Sequence, residues 1–425
     1  MGMTQFFEHY RFLSRFMIEN GKITYMSIIN SLNINTLRFA ILYAISFSVA
    51  SLDLSITVRS GQLLTHSNLG GTASYAMIGI GMIVGSRCGM FLINYLGLRR
   101  TYALSALLCV ASGLLSSFSV KNNLFYSFSF SLLLVGIFMG LSNYHRLLVQ
   151  DMAKVKSPWN TNLVLVSGII GAIIGPWIAK QISPMPELFY KSYLAVAFFG
   201  VIALILCFAL PKKHSISQIN PNFKISDIEK NTLIYKSLLY LGGLIGFCSY
   251  VTMTLVMTSV PLEATERKMT APDISTLVQW HMVAMYLPII IVPILMSKIH
   301  MLHVLKASLF ISIIAFLICA YAIWNYDVNY SILLVTMLIA GIVWAFGYSV
   351  SSNIIAINPY GIMYPKFRGI VEVFPPLGLI TGSLLAGLTL NYTNFNFVII
   401  LASIFLAIPL LVAVKESAKF TKYIK

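Results

Sequence analysis

Three ionisable residues stand inside long apolar stretches of the sequence: Asp53 in VASLDLSITV, Arg87 in GSRCGM and His281 in QWHMVAM. Ionisable groups at such positions are costly to bury and usually serve a function. A carboxylate and an imidazole can both bind and release a proton. The alternative for Asp53 is a polar residue that reaches the outer water. We interpret Asp53 and His281 as candidate proton-coupling residues.

A second set of side chains has the chemistry of a binding cavity. The guanidinium of Arg87 can hold an anionic group by paired hydrogen bonds, or it can bond backbone carbonyls or Asn94 in a structural role. Polar and aromatic residues later in the chain can form facing walls, although aromatic residues at helical spacing also serve packing. The predicted cavity residues are Arg87, Gln279, Trp280, Trp344, Tyr348 and Asn353.

Other chemistries lack the residues that they need. The five cysteines stand inside apolar runs and none forms a CxxC pair, so neither a disulfide framework nor a metal site is indicated. The sequence has no Gly-x-x-x-x-Gly-Lys-Ser/Thr stretch, which argues against an ATP-driven pump. No catalytic constellation is present either. We therefore expect a protein that is not an enzyme and needs no cofactor.

The composition is that of an integral membrane protein. Of 425 residues, 58% are hydrophobic and 10% are charged, whereas soluble domains carry about 25% charged residues. About 20 apolar residues cross a bilayer core, where every backbone group must be paired internally, so the spans are predicted as helices. Residues 1–35 interleave charges with phenylalanines and show no cleavable leader, which indicates an amphipathic cytoplasmic tail.

Breaks at charged residues, prolines and asparagines divide the chain into twelve apolar spans. The predicted spans are 36–58, 71–95, 101–119, 124–149, 161–179, 190–210, 235–260, 275–297, 304–324, 331–353, 369–389 and 395–414. A polar, basic loop at 211–234 separates two six-helix halves, 36–210 and 235–414, and a basic tail follows at 415–425. We therefore expect an all-α membrane fold of twelve helices in two halves.

The distribution of basic residues predicts which side each loop faces. With the N-terminus inside, most of the 29 lysines and arginines fall in cytoplasmic segments. The basic residues left to outer segments are Arg59, Lys121, Lys180, Lys191, Arg267 and Lys268. By the positive-inside rule, both termini face the cytoplasm of a multi-pass protein in the cell inner membrane. The net charge of +16 therefore reflects topology and does not indicate nucleic-acid binding.

The loop after the second span carries a family motif. Twelve spans in two halves and the short basic loop MFLINYLGLRR at 90–100 resemble the major facilitator superfamily of secondary transporters. Leucine, glycine and arginine match the motif, a second arginine follows one place beyond, and asparagine stands where the family has aspartate. The resemblance implies a conformational role for four of these residues, Asn94, Gly97, Arg99 and Arg100.

The stretch SGIIGAIIGPWIAK, at 167–180, interrupts a predicted span with three glycines and a proline. In lipid, small residues let helix backbones approach closely, and neighbouring helices tolerate a proline bend. Gly171, Gly175 and Pro176 resemble the fifth-helix motif of proton-coupled drug antiporters. We interpret the glycine face as a sliding contact in a transporter whose halves rock, with ordinary packing as the alternative.

Charged pairs lie at the predicted cytoplasmic ends of the fourth and eleventh spans. Arg146 precedes Asp151, and Arg368 precedes Glu372 at i, i+4. In the family that the chain resembles, such charges bind the basic inner loops and hold the inward gate. The resemblance therefore implies a gating role for these four residues, with substrate contact as the alternative.

The function implied by the resemblance is alternating-access transport of a small organic solute. Proton-coupled efflux of a drug or metabolite is the first hypothesis, because of the fifth-helix motif. Uptake or export of a siderophore or vitamin-like nutrient, by symport or uniport, is the second. A membrane sensor or scaffold that does not transport is the third. The expected partners are the solute, protons and the lipid bilayer, and the protein is expected to be a monomer.

Overall fold

Helices make up nearly all of the chain that the structure describes. The computed structural model describes residues 34–152, 158–210, 225–299, 301–356 and 370–423. In chain order the helices are α1 (Ile34–Thr65), α2 (Asn68–Leu96), α3 (Leu98–Lys121), α4a (Phe125–Ser142), α4b (His145–Met152), α5a (Pro158–Val166), α5b (Gly168–Ile182), α6 (Phe189–Cys207), α7 (Ile225–Glu266), α8a (Ala271–Tyr286), α8b (Ile291–Lys298), α9 (Met301–Asn325), α10 (Tyr330–Ala356), α11 (Phe374–Tyr392) and α12 (Phe395–Tyr423). The prediction of twelve helical spans is confirmed.

The eighth span consists of two α-helices separated by a 3-10 turn. Within the described residues, 11 helices are long and apolar enough to cross a membrane, judged by length and composition. The eighth is absent from that count because the 3-10 turn Leu287–Ile290 separates α8a from α8b. Pro288 lies in this turn and has no amide hydrogen to continue the α-helical pattern. The pieces together still cover the predicted span 275–297.

Two segments predicted as connections are partly helical. The 42-residue α7 begins at Ile225, inside the predicted loop 211–234. At about 1.5 Å per residue α7 is about twice as long as a bilayer core is thick, so part of it extends beyond the core. The last helix likewise continues to Tyr423, through most of the predicted tail. The amphipathic tail before residue 34 and the rest of the central loop lie outside the described residues.

Glycines on equivalent helices of the two halves make equivalent contacts. A Cβ atom on Gly175 of α5b would lie 2.7 Å from the amide nitrogen of Leu52 in α1. A Cβ atom on Gly382 of α11 would lie 2.5 Å from the carbonyl oxygen of Val251 in α7. The fifth helix therefore packs on the first as the eleventh packs on the seventh, backbone against backbone, which stabilises helix pairs in lipid.

The two halves meet along two helix pairs. Where α2 packs on α11, a Cβ atom on Gly79 would lie 2.5 Å from Cγ1 of Ile380. Where α5b packs on α8a, a Cβ atom on Gly168 would lie 2.6 Å from the ring of Tyr286. The helices α1, α4b, α7 and α10 bring further side chains to this interface, and those side chains form the candidate site.

Candidate functional site

Five aromatic side chains form a cluster where the two halves meet. This central aromatic cluster consists of Tyr43 of α1, Tyr250 of α7, Tyr286 of α8a, and Trp344 and Tyr348 of α10. Each of these side chains is at most 7% exposed. The ring centroids of Tyr286 and Trp344 are 5.3 Å apart. The hydroxyls of Tyr43 and Tyr286 share a hydrogen bond of 3.1 Å, which links one half to the other.

Helix geometry brings these rings together. Trp344 and Tyr348 are four residues apart, so they lie on one face of α10, with centroids 4.6 Å apart and an interplanar angle of 24°. Tyr286 is the last residue of α8a, where the helix gives way to the 3-10 turn. Because Gly168 has no side chain, α5b can approach this ring closely. The cluster therefore depends on the break in α8 and on a glycine in α5b.

A buried ion pair lies beside the cluster and also joins the halves. Nη2 of Arg146, in α4b, lies 2.7 Å from Oε2 of Glu372, in the turn before α11, and the side chains are 0% and 3% exposed. The guanidinium carbon is 4.8 Å from the ring centroid of Tyr348. The same guanidinium also interacts electrostatically with Tyr348, Tyr43 and Tyr250 of the cluster.

This ion pair takes one residue from each of the two groups that the sequence places at the ends of the fourth and eleventh spans. Spacing alone placed Arg146 near Asp151 and Arg368 near Glu372, because only residues within one helix turn or two can be related from sequence alone. The structure joins Arg146 to Glu372 across 226 residues. Arg368 and the side chain of Asp151 lie outside the described residues.

Several buried polar atoms in and beside the cluster lack a partner among the residues that the structure describes. Among the described residues, hydrogen-bond partners are absent for Nε and Nη1 of Arg146, Oε1 of Glu372 and Nε1 of Trp344. Buried polar atoms in native structures are normally hydrogen-bonded, so an unpaired group asks for an explanation. An aromatic-lined site with a few convergent polar groups is the usual form of a small-molecule site.

The predicted cavity residues separate into two groups. Trp344 and Tyr348 belong to the cluster, and Asn353 is buried on the same helix. Gln279 donates a hydrogen bond of 3.3 Å to the carbonyl oxygen of Ile173, which joins α8a to α5b. In contrast, Trp280 is 50% exposed.

Two of the predicted cavity residues are exposed. Arg87 is exposed on α2, as Trp280 is on α8a. Consecutive residues of a helix point about 100° apart, so Gln279, Trp280 and His281 do not form one wall. His281 is fully buried, with Nδ1 2.7 Å from the carbonyl oxygen of Met337 in α10. It lies between two helices of the second half.

Asp53 lies inside the first half. Its side chain is 1% exposed, which does not fit the alternative of a carboxylate that reaches the outer water. The side chain of Thr57, four residues further along α1, interacts with it. It also interacts electrostatically with Tyr75 of α2, Cys109 of α3 and Tyr193 of α6. No ion pair to Asp53 occurs among the described residues.

The predicted gating loop makes one specific contact. Gly97, between α2 and α3, has a φ of 83°, a conformation that favours glycine. Nε and Nη2 of Arg99 donate hydrogen bonds of 3.2 and 2.8 Å to the carbonyl oxygen of Leu210, just after α6. Arg99 thereby ties the third helix to the end of the sixth. Asn94 and Arg100 are exposed.

The glycine face of the fifth helix packs within one half. A Cβ atom on Gly171 would lie 2.5 Å from the amide nitrogen of Ser48 in α1, and Gly175 and Pro176 are buried on the same helix. This agrees with the packing alternative. Gly168, one turn earlier, is the glycine of this stretch that faces the other half.

Some residues of the site had no signal in the sequence. Tyr43, Tyr250 and Tyr286 stand in apolar spans like many other tyrosines, and only the tertiary contact distinguishes them. Arg59 was assigned to an outer loop, but α1 continues to Thr65, and Arg59 is 6% exposed. Its guanidinium lies 4.9 Å from the ring centroid of Phe189. A longer predicted first helix would have shown it to be a buried charge.

Sequence comparison gives two relatives. No protein-family model matches the chain. The riboflavin transporter RfnT of Brucella anthropi is 26% identical over 263 residues, which cover 60% of this chain and 64% of the relative, less than two thirds of its length. The uncharacterized MFS-type transporter YddS of Bacillus subtilis is 25% identical over 299 residues, which cover 66% and 68% of the two chains.

Solved structures match over nearly the whole chain. The xylose transporter XylE of E. coli, in a partially occluded inward-open conformation, aligns with a TM-score of 0.69 at 12% identity, covering 90% of this chain and 98% of that one. The human organic anion transporter MFSD10 aligns with a TM-score of 0.67 at 14% identity, covering 89% and 98%. FucP, described as a major facilitator superfamily transporter, aligns with a TM-score of 0.63 at 15% identity, covering 90% and 98%. Structural matches at identities this low show that the fold is shared.

Proposed function

We propose that this chain, which has the major facilitator fold and transporters among its relatives, carries a small planar aromatic solute by alternating access. The observation that carries the proposal is the central aromatic cluster, which both halves build and which is shut off from solvent. Aromatic side chains bind flat heterocycles by stacking. A solute held there contacts both halves, as alternating access about a central site requires.

A vitamin-like heterocycle is the class that we favour. The relative in Brucella anthropi is named for riboflavin, and riboflavin is a flat ring system with a polar chain. The cluster offers stacked Trp344 and Tyr348 with a buried cation beside them. Riboflavin is therefore the first compound to test, and the conclusion concerns flat heterocycles as a class.

Proton coupling and direction form the finer part of the proposal. We assign proton coupling to Asp53, buried between four helices of the first half, with His281 as the second carrier to test. Efflux in exchange for protons is the second candidate function, and the glycines of the fifth helix with Pro176 favour it. We propose that the protein lies in the inner membrane with both termini in the cytoplasm, because of the distribution of basic residues.

Flux of a labelled solute tests the proposal directly. Purified protein in proteoliposomes is expected to move labelled riboflavin faster than protein-free liposomes do. Unlabelled flat heterocycles should compete, and xylose should not. Equal rates with and without protein, for riboflavin and for a panel of flat heterocycles, would contradict the proposed substrate class.

The close contact between α5b and α1 gives a second prediction. A leucine at Gly175 would push against the α1 backbone, so we expect Gly175→Leu to reduce flux several-fold while the protein still reaches the membrane. The matched control is Ile173→Leu, since Ile173 is 45% exposed on the same helix. Flux and the amount of protein in isolated membranes are measured together. Normal flux through Gly175→Leu would show that the helices need not pack so closely.

A further inference from the structure

We infer that the Arg146–Glu372 pair recognises a lactam or imide edge of the solute, where a ring carbonyl stands beside a ring N–H. This inference rests on the proposed function of the central aromatic cluster and deepens it. The cluster accounts for binding a flat ring, but stacking does not distinguish one flat ring from another. The ion pair would supply that distinction, because it presents a donor and an acceptor side by side.

The free atoms of the pair define the chemistry of the ligand. Glu372 occupies Nη2 of Arg146, and the donors on Nε and Nη1 have no hydrogen-bond partner among the described residues. On the other side of the contact, Oε1 of Glu372 also has none. A guanidinium only donates hydrogen bonds and a carboxylate only accepts them. A matching edge therefore carries an acceptor for Arg146 next to a donor for Glu372.

The position of the pair fits an edge of a stacked ring. The guanidinium lies over Tyr348, 4.8 Å from its ring centroid, and Tyr348 stacks on Trp344. A flat solute among these rings would have its edge near the ion pair. Arg146 comes from the first half and Glu372 from the turn before α11 of the second, so a single edge would contact both halves.

Charge favours a neutral ligand over an anion. The two side chains are almost fully buried and neutralise each other, so an anion added beside them would leave an uncompensated charge. A neutral amide edge adds hydrogen bonds without adding charge. Bonds to charged groups are stronger than those between neutral groups, and losing one leaves a buried charged group unsatisfied.

A pair of compounds that differ at one ring position tests the inference. Riboflavin has an imide N–H between two ring carbonyls, and 3-methylriboflavin has a methyl group in place of that hydrogen. The dissociation constant of each is measured by quenching of flavin fluorescence on the purified full-length protein. We expect the protein to bind riboflavin at least about tenfold more tightly than the methylated compound.

A double variant shows whether the ion pair causes the difference in affinity between the two flavins. Removing one partner leaves a buried charge, so Arg146→Met and Glu372→Met are made together, which replaces both with apolar side chains of similar length. The ratio of the two dissociation constants should then fall below about threefold, while both compounds still bind by stacking. An unchanged ratio in the double variant would overturn the inference.

The outcomes separate this inference from the proposed function. If the parent binds both flavins equally well, the edge is not recognised, but a flat-ring transporter remains. If the parent binds neither flavin nor other flat heterocycles, the proposed function fails. Trp344→Ala serves as the control for specificity. It should weaken the binding of both compounds alike and leave the ratio of their dissociation constants unchanged.

Discussion

Replacing Trp344 by alanine is expected to reduce riboflavin flux at a low solute concentration by at least about fivefold. Trp344 lies at the centre of the cluster, 4.6 Å from Tyr348 and 5.3 Å from Tyr286 between ring centroids, and is 1% exposed. An aromatic partner contributes about 1–3 kcal/mol to binding a stacked base, and each 1.4 kcal/mol is about tenfold in affinity. Trp344→Phe keeps a ring and should retain more flux.

The control for this prediction is a second tryptophan. Trp280→Ala removes the same side chain from the outer surface of the bundle, where Trp280 is 50% exposed. Flux should be close to that of the parent. Thermal unfolding in detergent accompanies both measurements, because deleting a buried tryptophan also costs stability. Equal flux losses for the two variants, at equal amounts of folded protein, would show that the cluster is not the binding site.

The two tryptophans also show what can be predicted from a sequence. Trp280 and Trp344 both stand in predicted apolar spans, and both were predicted to face a cavity. The direction of a side chain on a membrane helix depends on the neighbours of that helix, since lipid and protein interior are both apolar. Only the packed bundle shows that Trp344 faces its neighbours and Trp280 faces outward.

The number of spans was easier to predict than the contacts between them. Hydrophobic length determines whether a segment crosses a bilayer, so twelve spans follow from the sequence, including the one broken by Pro288. A contact such as Arg146 with Glu372 joins residues 226 positions apart and leaves no trace in local spacing. Gly171 and Gly175 were informative for another reason: both mark close contacts with the backbone of α1, although the partner helix was not predictable.

Replacing Asp53 by asparagine is expected to abolish accumulation of solute against its gradient while solute exchange continues. No cation is paired with Asp53 among the described residues, and asparagine has nearly the same size and shape as aspartate. The fold should therefore tolerate the change. Asparagine does not bind and release a proton, so the proton gradient would no longer drive the solute.

Proteoliposomes with an imposed pH gradient provide the measurement. One pH unit supplies about 1.4 kcal/mol per proton, enough for about tenfold accumulation with one proton per solute. The parent should approach that ratio, Asp53→Glu should retain part of it with a shifted pH dependence, and Asp53→Asn should stay near a ratio of one. Asp327→Asn, at an exposed carboxylate between α9 and α10, is the control.

Exchange of labelled for unlabelled solute at equal pH distinguishes loss of coupling from loss of binding. Asp53→Asn should exchange at a rate near that of the parent, because Asp53 lies about 15 Å along α1 from Tyr43, at about 1.5 Å per residue. If Asp53→Asn accumulates solute as well as the parent, Asp53 is not the carrier. His281→Gln is then the next variant, and normal accumulation by that variant too would mean that neither group couples transport to protons.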